Sequence, residues 1–201
     1  MRTTSKVLLS VAAVGSAASI AGLGTFASFT STTSASQPIA SGTVQIALGA
    51  TGAATNRLSV GASGLVPGDT VQRSFDLSNT GNQDLASIAL TTTAGPSSLL
   101  DTDPTNGLQM VIDECSVAWT EAGTGPAYTY ACSGTTTIVV ASRAVIGSTI
   151  PMSGLAALTS GATDHLRVTL TLPSTTGNTF QGLTSTINYS FLGTQRAATN
   201  K

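Results

Sequence analysis

Charge is what this sequence most lacks. Charged residues make up 8% of the 201 residues, against about a quarter in ordinary globular chains, and there is one histidine, His165, and one pair of cysteines. Each shortage excludes something. The few cations are scattered, so no basic patch can neutralise phosphates, and nucleic acid is not expected as a partner. A zinc protease of the common type needs two histidines one helical turn apart with a glutamate between them, which His165 alone cannot supply. No Gly-x-Ser-x-Gly elbow occurs, so a nucleophilic serine would have to recruit His165 from the polar face of its strand. Asp101, Asp103, Asp113 and Glu114 could hide a glycosidase pair, but no aromatic platform flanks them. No catalytic residue, metal ligand or cofactor is therefore assigned, and an enzyme is not expected.

Helical periodicity is missing too. Only 97–100 and 153–158 are expected to form a turn or two, and neither sustains a 3.6-residue apolar stripe. What is present is alternation. Val44, Ile46 and Leu48 alternate with Gln45 and Ala47. Val71, Phe75 and Leu77 share a face that Arg73 interrupts, with Gln72, Ser74, Asp76 and Ser78 opposite. Ile88 and Leu90 continue the pattern, followed by Leu166, Val168, Leu170 and Leu172, then by Ile187, Tyr189 and Phe191. This is the signature of strands with one buried and one solvated face. Turn residues separate them at Pro67-Gly68-Asp69, Asn79-Thr80-Gly81-Asn82, Gly123-Thr124-Gly125-Pro126 and Thr176-Gly177-Asn178. About eight to ten short strands so punctuated predict an all-β, jelly-roll-like antiparallel sandwich. With so little charge, solubility falls to Thr, Ser, Asn and Gly, and little repulsion keeps neighbouring copies apart.

The N-terminus reads as a secretory signal over 1–27. Arg2 and Lys6 precede an uncharged apolar run that ends in Thr25-Phe26-Ala27, small at the outer positions. Cleavage is placed between Ala27 and Ser28, with Ala35 as the second choice. An uncleaved anchor is the alternative, since a bilayer needs about 20 apolar residues, but the Gly and Ser content argues against it. No other stretch is apolar enough to span a membrane. Residues 28–42 then form a polar, nearly uncharged N-terminal arm, and 43–201 the sandwich domain. The expected location is secreted, at the cell surface or in an extracellular matrix.

Outside the cell, two cysteines are most simply a disulfide. If Cys115 faces Cys132 across a hairpin, Val117 faces Tyr130 and Trp119 faces Tyr128, all on one face, with a loop over 120–127. Such a bond contributes about 3 kcal/mol. Three further patterns look like sites and are read more simply. Asp101, Asp103 and Thr105 before Gly107 resemble the start of a calcium loop, yet Pro104 intervenes and Ile112 holds the place of the last ligand; a turn explains the same letters, although a bound calcium stays open. Leu172 to Gly177 carries one residue too many for a sortase signal, and a strand follows it. Asn188-Tyr189-Ser190 matches a glycosylation acceptor but sits inside a strand.

In order and spacing, several segments resemble the TasA and camelysin family of bacterial surface proteins. They are Gly24-Thr25-Phe26-Ala27-Ser28-Phe29, Ala40-Ser41-Gly42-Thr43-Val44, Gly64-Leu65-Val66-Pro67-Gly68-Asp69, Phe75-Asp76-Leu77-Ser78-Asn79-Thr80-Gly81 and Ser185-Thr186-Ile187-Asn188-Tyr189-Ser190-Phe191. The resemblance implies a jelly-roll subunit that polymerises into biofilm fibres, each copy donating the segment freed by cleavage to the next. Here the donor would be 28–40, with Phe29 and Ile39 as apolar anchors. The expected partner is the chain itself, head to tail, with other matrix or cell-wall components as further candidates. Camelysin-type relatives are also described as surface metallopeptidases, but no matching ligand set is visible. A monomeric adhesin is the third reading, with the arm as a linker. The chain departs from better-known members in its shortage of lysine and in its cysteine hairpin.

Overall fold

The computed structural model describes residues 41–199; the cleavage position at Ala27 and Ser28 and the arm residues Phe29 and Ile39 lie outside them. Ten strands form among the described residues: β1 (Ile46–Leu48), β2 (Thr70–Asn79), β3 (Leu85–Ala94), β4 (Gln109–Cys115), β5 (Thr120–Ala122), β6 (Thr129–Ala131), β7 (Thr136–Ala144), β8 (Gly147–Met152), β9 (Thr163–Thr171) and β10 (Ile187–Gln195). The only helices described are one α-turn, α1 (Leu99–Thr102), and two 3-10 turns at Ala156–Leu158 and Asn178–Phe180. Strands β1-β2-β9-β4-β7 make one sheet, β10-β3-β8 a second, and β5-β6 a small third, with every pairing antiparallel. The chain switches sheet at nearly every step, from β2 to β3 to β4 and again from β7 to β8 to β9 to β10, the habit of a jelly-roll-like sandwich.

The alternation visible in the sequence fixes what faces inward. In β2, Phe75 and Leu77 are each 1% exposed, and they lie opposite Leu166 and Asp164 of β9. From the other sheet come Ile88 and Leu90 of β3 against Met152 and Ile150 of β8. Phe191 of β10 meets Phe75 across the sandwich with ring centroids 5.4 Å apart. Fully burying a side chain of this size stabilises by roughly 1.5–3 kcal/mol, and these residues belong to one continuous core.

Two acidic side chains enter that interior. Asp164 is fully buried and accepts from the amides of Ala156 (2.7 Å) and Ala157 (2.9 Å), tying the 3-10 turn to β9. Glu114, on the same inward face, lies beside it. Burial first, and the Asp164 carboxylate second, push the Glu114 carboxyl above its ordinary value. A group whose pKa is raised on folding favours the folded state at pH below its unfolded value, and that contribution disappears as pH rises through the folded value. Glu114→Gln is therefore expected to raise the melting temperature at neutral pH and to make no difference near pH 4, read from melting curves across that range.

Helix α1 follows from local chemistry. Ser98 caps it: its side chain accepts from the Leu100 amide at 3.1 Å, and Asp101 reaches back to the Ser98 amide at 2.7 Å. Ser97 and Ser185 hydroxyls each donate to Asp101 at 2.6 Å. Burial acts to raise the Asp101 carboxyl, but these bonds outweigh it and hold the group low. Asp103 accepts from the Thr105 and Asn106 amides at 2.9 Å each. The calcium-like letters are thus a capping box followed by a turn, with both carboxylates engaged by the chain's own donors. Ser98→Ala should cost about 1 kcal/mol, measurable by denaturant titration.

The cysteine hairpin forms in a different register from the one the sequence suggested. Cys115 and Cys132 are joined, but the strands pair Cys115 with Thr136, Thr120 with Ala131 and Glu121 with Tyr130. Each residue thus meets a partner four places later than expected, and β5 takes 120–122 out of the stretch assigned to a loop. The expected face breaks up accordingly. Tyr130 is buried, whereas Val117 is 43% exposed. The disulfide crosses the ladder instead of lying within it, and it closes the joint between the β4–β7 and β5–β6 parts of the hairpin. The β5–β6 flap lies over the outer face of the five-stranded sheet, where Trp119 Nε1 donates to the His165 carbonyl at 2.9 Å.

Candidate functional site

The outer face of the five-stranded sheet carries the polar halves of β2, β4 and β9. His165 Nδ1 lies 2.8 Å from Asp76. Arg167 is paired with Asp113, donates to the Tyr130 carbonyl at 3.2 Å, and stacks its guanidinium 4.2 Å from the centre of the Trp119 ring. His165 stands on the polar face expected of it, its side chain 29% exposed beside Asp76 and its carbonyl held by Trp119 of the flap. Sequence alternation gives the face of a strand and says nothing about a distant loop folded over it.

The flap also reaches sideways. Residues 55–57 extend the sheet edge beyond β1, with the Arg57 amide bonded to the Ser74 carbonyl at 2.8 Å and Asn56 bridged to Phe75. Glu121 of the flap then receives Arg57 in a bidentate pair, at 2.9 and 2.6 Å, and the Tyr130 hydroxyl at 2.9 Å. The Arg57 hydrogen bond holds the Glu121 carboxyl low against the opposing effect of burial, while burial pushes the Tyr130 phenol up. The Arg57 guanidinium lies 4.5 Å from the centre of the Tyr128 ring, and that of Arg73 lies 5.7 Å from it.

Arg73 is the residue that interrupted the apolar face of β2, and it is 4% exposed. Among the described residues no carboxylate pairs with it. Its guanidinium instead donates to the carbonyls of Val60 (2.7 Å), Gly61 (2.9 Å) and Gln72 (2.6 Å). Burial lowers its pKa. A desolvated cation held by neutral acceptors alone is costly, so its placement points to a structural need at that position. The need is the strap, residues 58–65, which Arg73 fastens over the open side of the sandwich.

Between this strap and β10 lies a cleft of about 380 Å3, walled by Leu58 and Leu65 of the strap, Val71 and Arg73 of β2, and Ile187 and Tyr189 of β10. Among the described residues β10 is an edge strand that pairs only with β3 in its sheet. Its inward residues Ile187, Tyr189 and Phe191 are half-buried, while the corresponding residues of the central strands are covered almost completely. An open edge beside a partly uncovered apolar row is a place where main-chain donors and acceptors remain to be paired.

The first half of the chain decides its kinship: residues 3–109 match the family model described as camelysin metallo-endopeptidase. The chain belongs to the camelysin family. A search among curated proteins finds no match. The family's description implies a metal, and this camelysin-family chain offers a poor donor set for one. Its single histidine is engaged by Asp76, and both cysteines are spent in the disulfide. Asp113 and Glu121 are committed to arginines, and Asp164 to two backbone amides. No three His, Cys, Asp or Glu side chains converge among the described residues. The residues present do not fit a zinc site of the three-ligand type.

The near-miss sorting motif is also structural in this camelysin-family chain. Leu172 is buried at the end of β9, and the Thr176 hydroxyl donates to the Asn106 carbonyl at 2.7 Å. Among the described residues no helix is long and apolar enough to cross a membrane. Arg57, Arg73, Glu121 and Tyr128, which build the strap and its clasp, were not singled out as site residues from sequence. The one available signal was Arg73 on an otherwise apolar strand face.

Proposed function

We propose that this protein is an exported structural subunit, not an enzyme, and that it assembles noncovalently into extracellular or biofilm-matrix fibres. The segment 28–40 of one copy enters the cleft beside β10 of the next. The observation that carries this reading is the open β10 edge, whose half-buried Ile187 and Tyr189 face a cleft. A donated strand would pair its backbone along that edge and lay alternate side chains into the cleft. Phe29 and Ile39 are separated by an even number of positions, so both fall on one face of an extended strand. A donor at one end and an acceptor elsewhere make a head-to-tail contact that does not close, and such contacts propagate as filaments. The disulfide supports an oxidising location outside the cytoplasm. The partner is another copy, with matrix or wall components as further ligands of the fibre.

Electron microscopy of residues 28–201 beside residues 41–201 tests the reading. The shorter chain retains the core, since Ser41–Lys201 is a compact unit by itself. Filaments are expected from the longer chain alone. Equal filaments from both would remove the arm from the mechanism, and filaments from neither would remove the fibre reading. A second reading, surface metallopeptidase, is favoured by the description of the matching family. Zinc-dependent cleavage of a protein substrate by residues 28–201, abolished by chelation, would establish it against the donor-set argument.

A further inference from the structure

Flap, strap and cleft are joined by a continuous set of contacts. Cys115–Cys132 closes the joint from which the flap departs. Glu121 and Tyr128 of the flap hold Arg57 by a bidentate pair and a stacked ring. The same Tyr128 ring lies beside Arg73, which binds the strap at Val60 and Gly61. Leu58 and Leu65 of that strap form the wall of the cleft facing Ile187 and Tyr189. The strap has few ties of its own. Among the described residues, the backbone from Gly61 to Leu65 makes no backbone–backbone hydrogen bond outside the strands, so its position depends on Arg73 and on what holds Arg73.

We propose that the Cys115–Cys132 disulfide licenses assembly: it pins the flap that holds the strap in place, and so shapes the strand-accepting cleft only in the oxidised chain. The inference rests on the fibre reading above. Oxidation removes two protons and two electrons from the two thiols, the S–S bond forms, and a disulfide oxidant of the exchange type is reduced to its dithiol. Before export the chain is kept as thiols, the flap is held only by its noncovalent contacts, and the cleft lacks a fixed wall. Premature strand donation inside the cell is thereby suppressed. The disulfide acts here on a site distant in sequence, beyond its ordinary restriction of the unfolded chain.

The test uses residues 28–201 in three forms: oxidised, reduced with dithiothreitol, and oxidised Glu121→Ala, which cuts the clasp while leaving the disulfide intact. Two quantities are read. One is amide hydrogen exchange at Arg57 and Val60, whose amides are hydrogen-bonded to Ser74 and Arg57, with the amides of Leu166 and Val168 reporting that the core stays folded. The other is filament yield. In the reduced and Glu121→Ala chains, exchange at Arg57 and Val60 is expected to quicken about tenfold or more, as in local opening, with core exchange unchanged and filament yield falling at least several-fold. Unchanged exchange at Arg57 and Val60 in the reduced chain overturns the coupling. Faster exchange with undiminished filaments overturns the licence while leaving the fibre reading intact. Loss of filaments on reduction together with full yield from Glu121→Ala shows that the clasp does not carry the effect, and overturns the proposal. An oxidised chain that forms no filaments fails at the fibre reading itself and takes the inference with it.

Discussion

Phe75→Ala is expected to lower folding stability by about 3–5 kcal/mol, the range for truncating a buried aromatic residue. The reason is position as much as size. Phe75 is 1% exposed in the middle of β2, it pairs across the ladder with Leu166, and its ring meets Phe191 of β10 at 5.4 Å. Removing it opens a cavity under the edge strand that is proposed to receive the donated arm. Chemical denaturation should show the full loss, and a retained denaturant slope would indicate that the two-state transition survives. Phe75→Leu, which keeps most of the volume, should recover a large part of the loss. A fall of under 1 kcal/mol for the alanine variant would mean that β10 is not packed on β2 as described.

Arg167→Met should be the most damaging change outside the core, by about 3 kcal/mol. It leaves Asp113 partly buried with no counter-ion, and breaking such a pair from one side costs far more than the pair contributes as a whole. It also strips the stacked cation from Trp119 and the bond to the Tyr130 carbonyl. Because Trp119 is the sole tryptophan, its fluorescence reports directly on whether the flap still lies on the sheet. A red-shifted emission together with reduced stability is the expected result. Arg167→Met with Asp113→Leu should recover stability, since replacing both charges with apolar side chains removes the unpaired carboxylate. Failure of that double variant to recover would show that the pair fixes the flap's geometry through more than charge.

Most of the sandwich was legible because its chemistry is local. Alternation placed β2, β9 and β10 and assigned their faces, turn residues marked where they end, and the two weak helical stretches became α1 and the 3-10 turn at Ala156–Leu158. The family likewise could be read from short segments in order, and the match over 3–109 places the chain in it. Strands β7 and β8 were less visible. Thr136 to Ala144 is exposed at Ile138 and buried at both Val139 and Val140, because register shifts against β4 break its alternation.

The cysteine hairpin marks the boundary between the two kinds of information. Sequence alone determined that this chain makes strands, where several of them lie, the part of the core formed by Phe75, Leu77, Ile88, Leu90, Leu166 and Val168, and that its two cysteines have only each other. Tertiary structure decided the hairpin's register, the folding of the flap over His165, the burial of Arg73 without an acidic partner, and the cleft beside β10. Those features depend on contacts between residues far apart in the chain, such as Arg57 with Glu121 and Asp113 with Arg167. Periodicity records how a residue sits relative to its own strand. Which loop covers that strand, and which edge stays open, are set by the balance of packing and polar pairing across the whole fold.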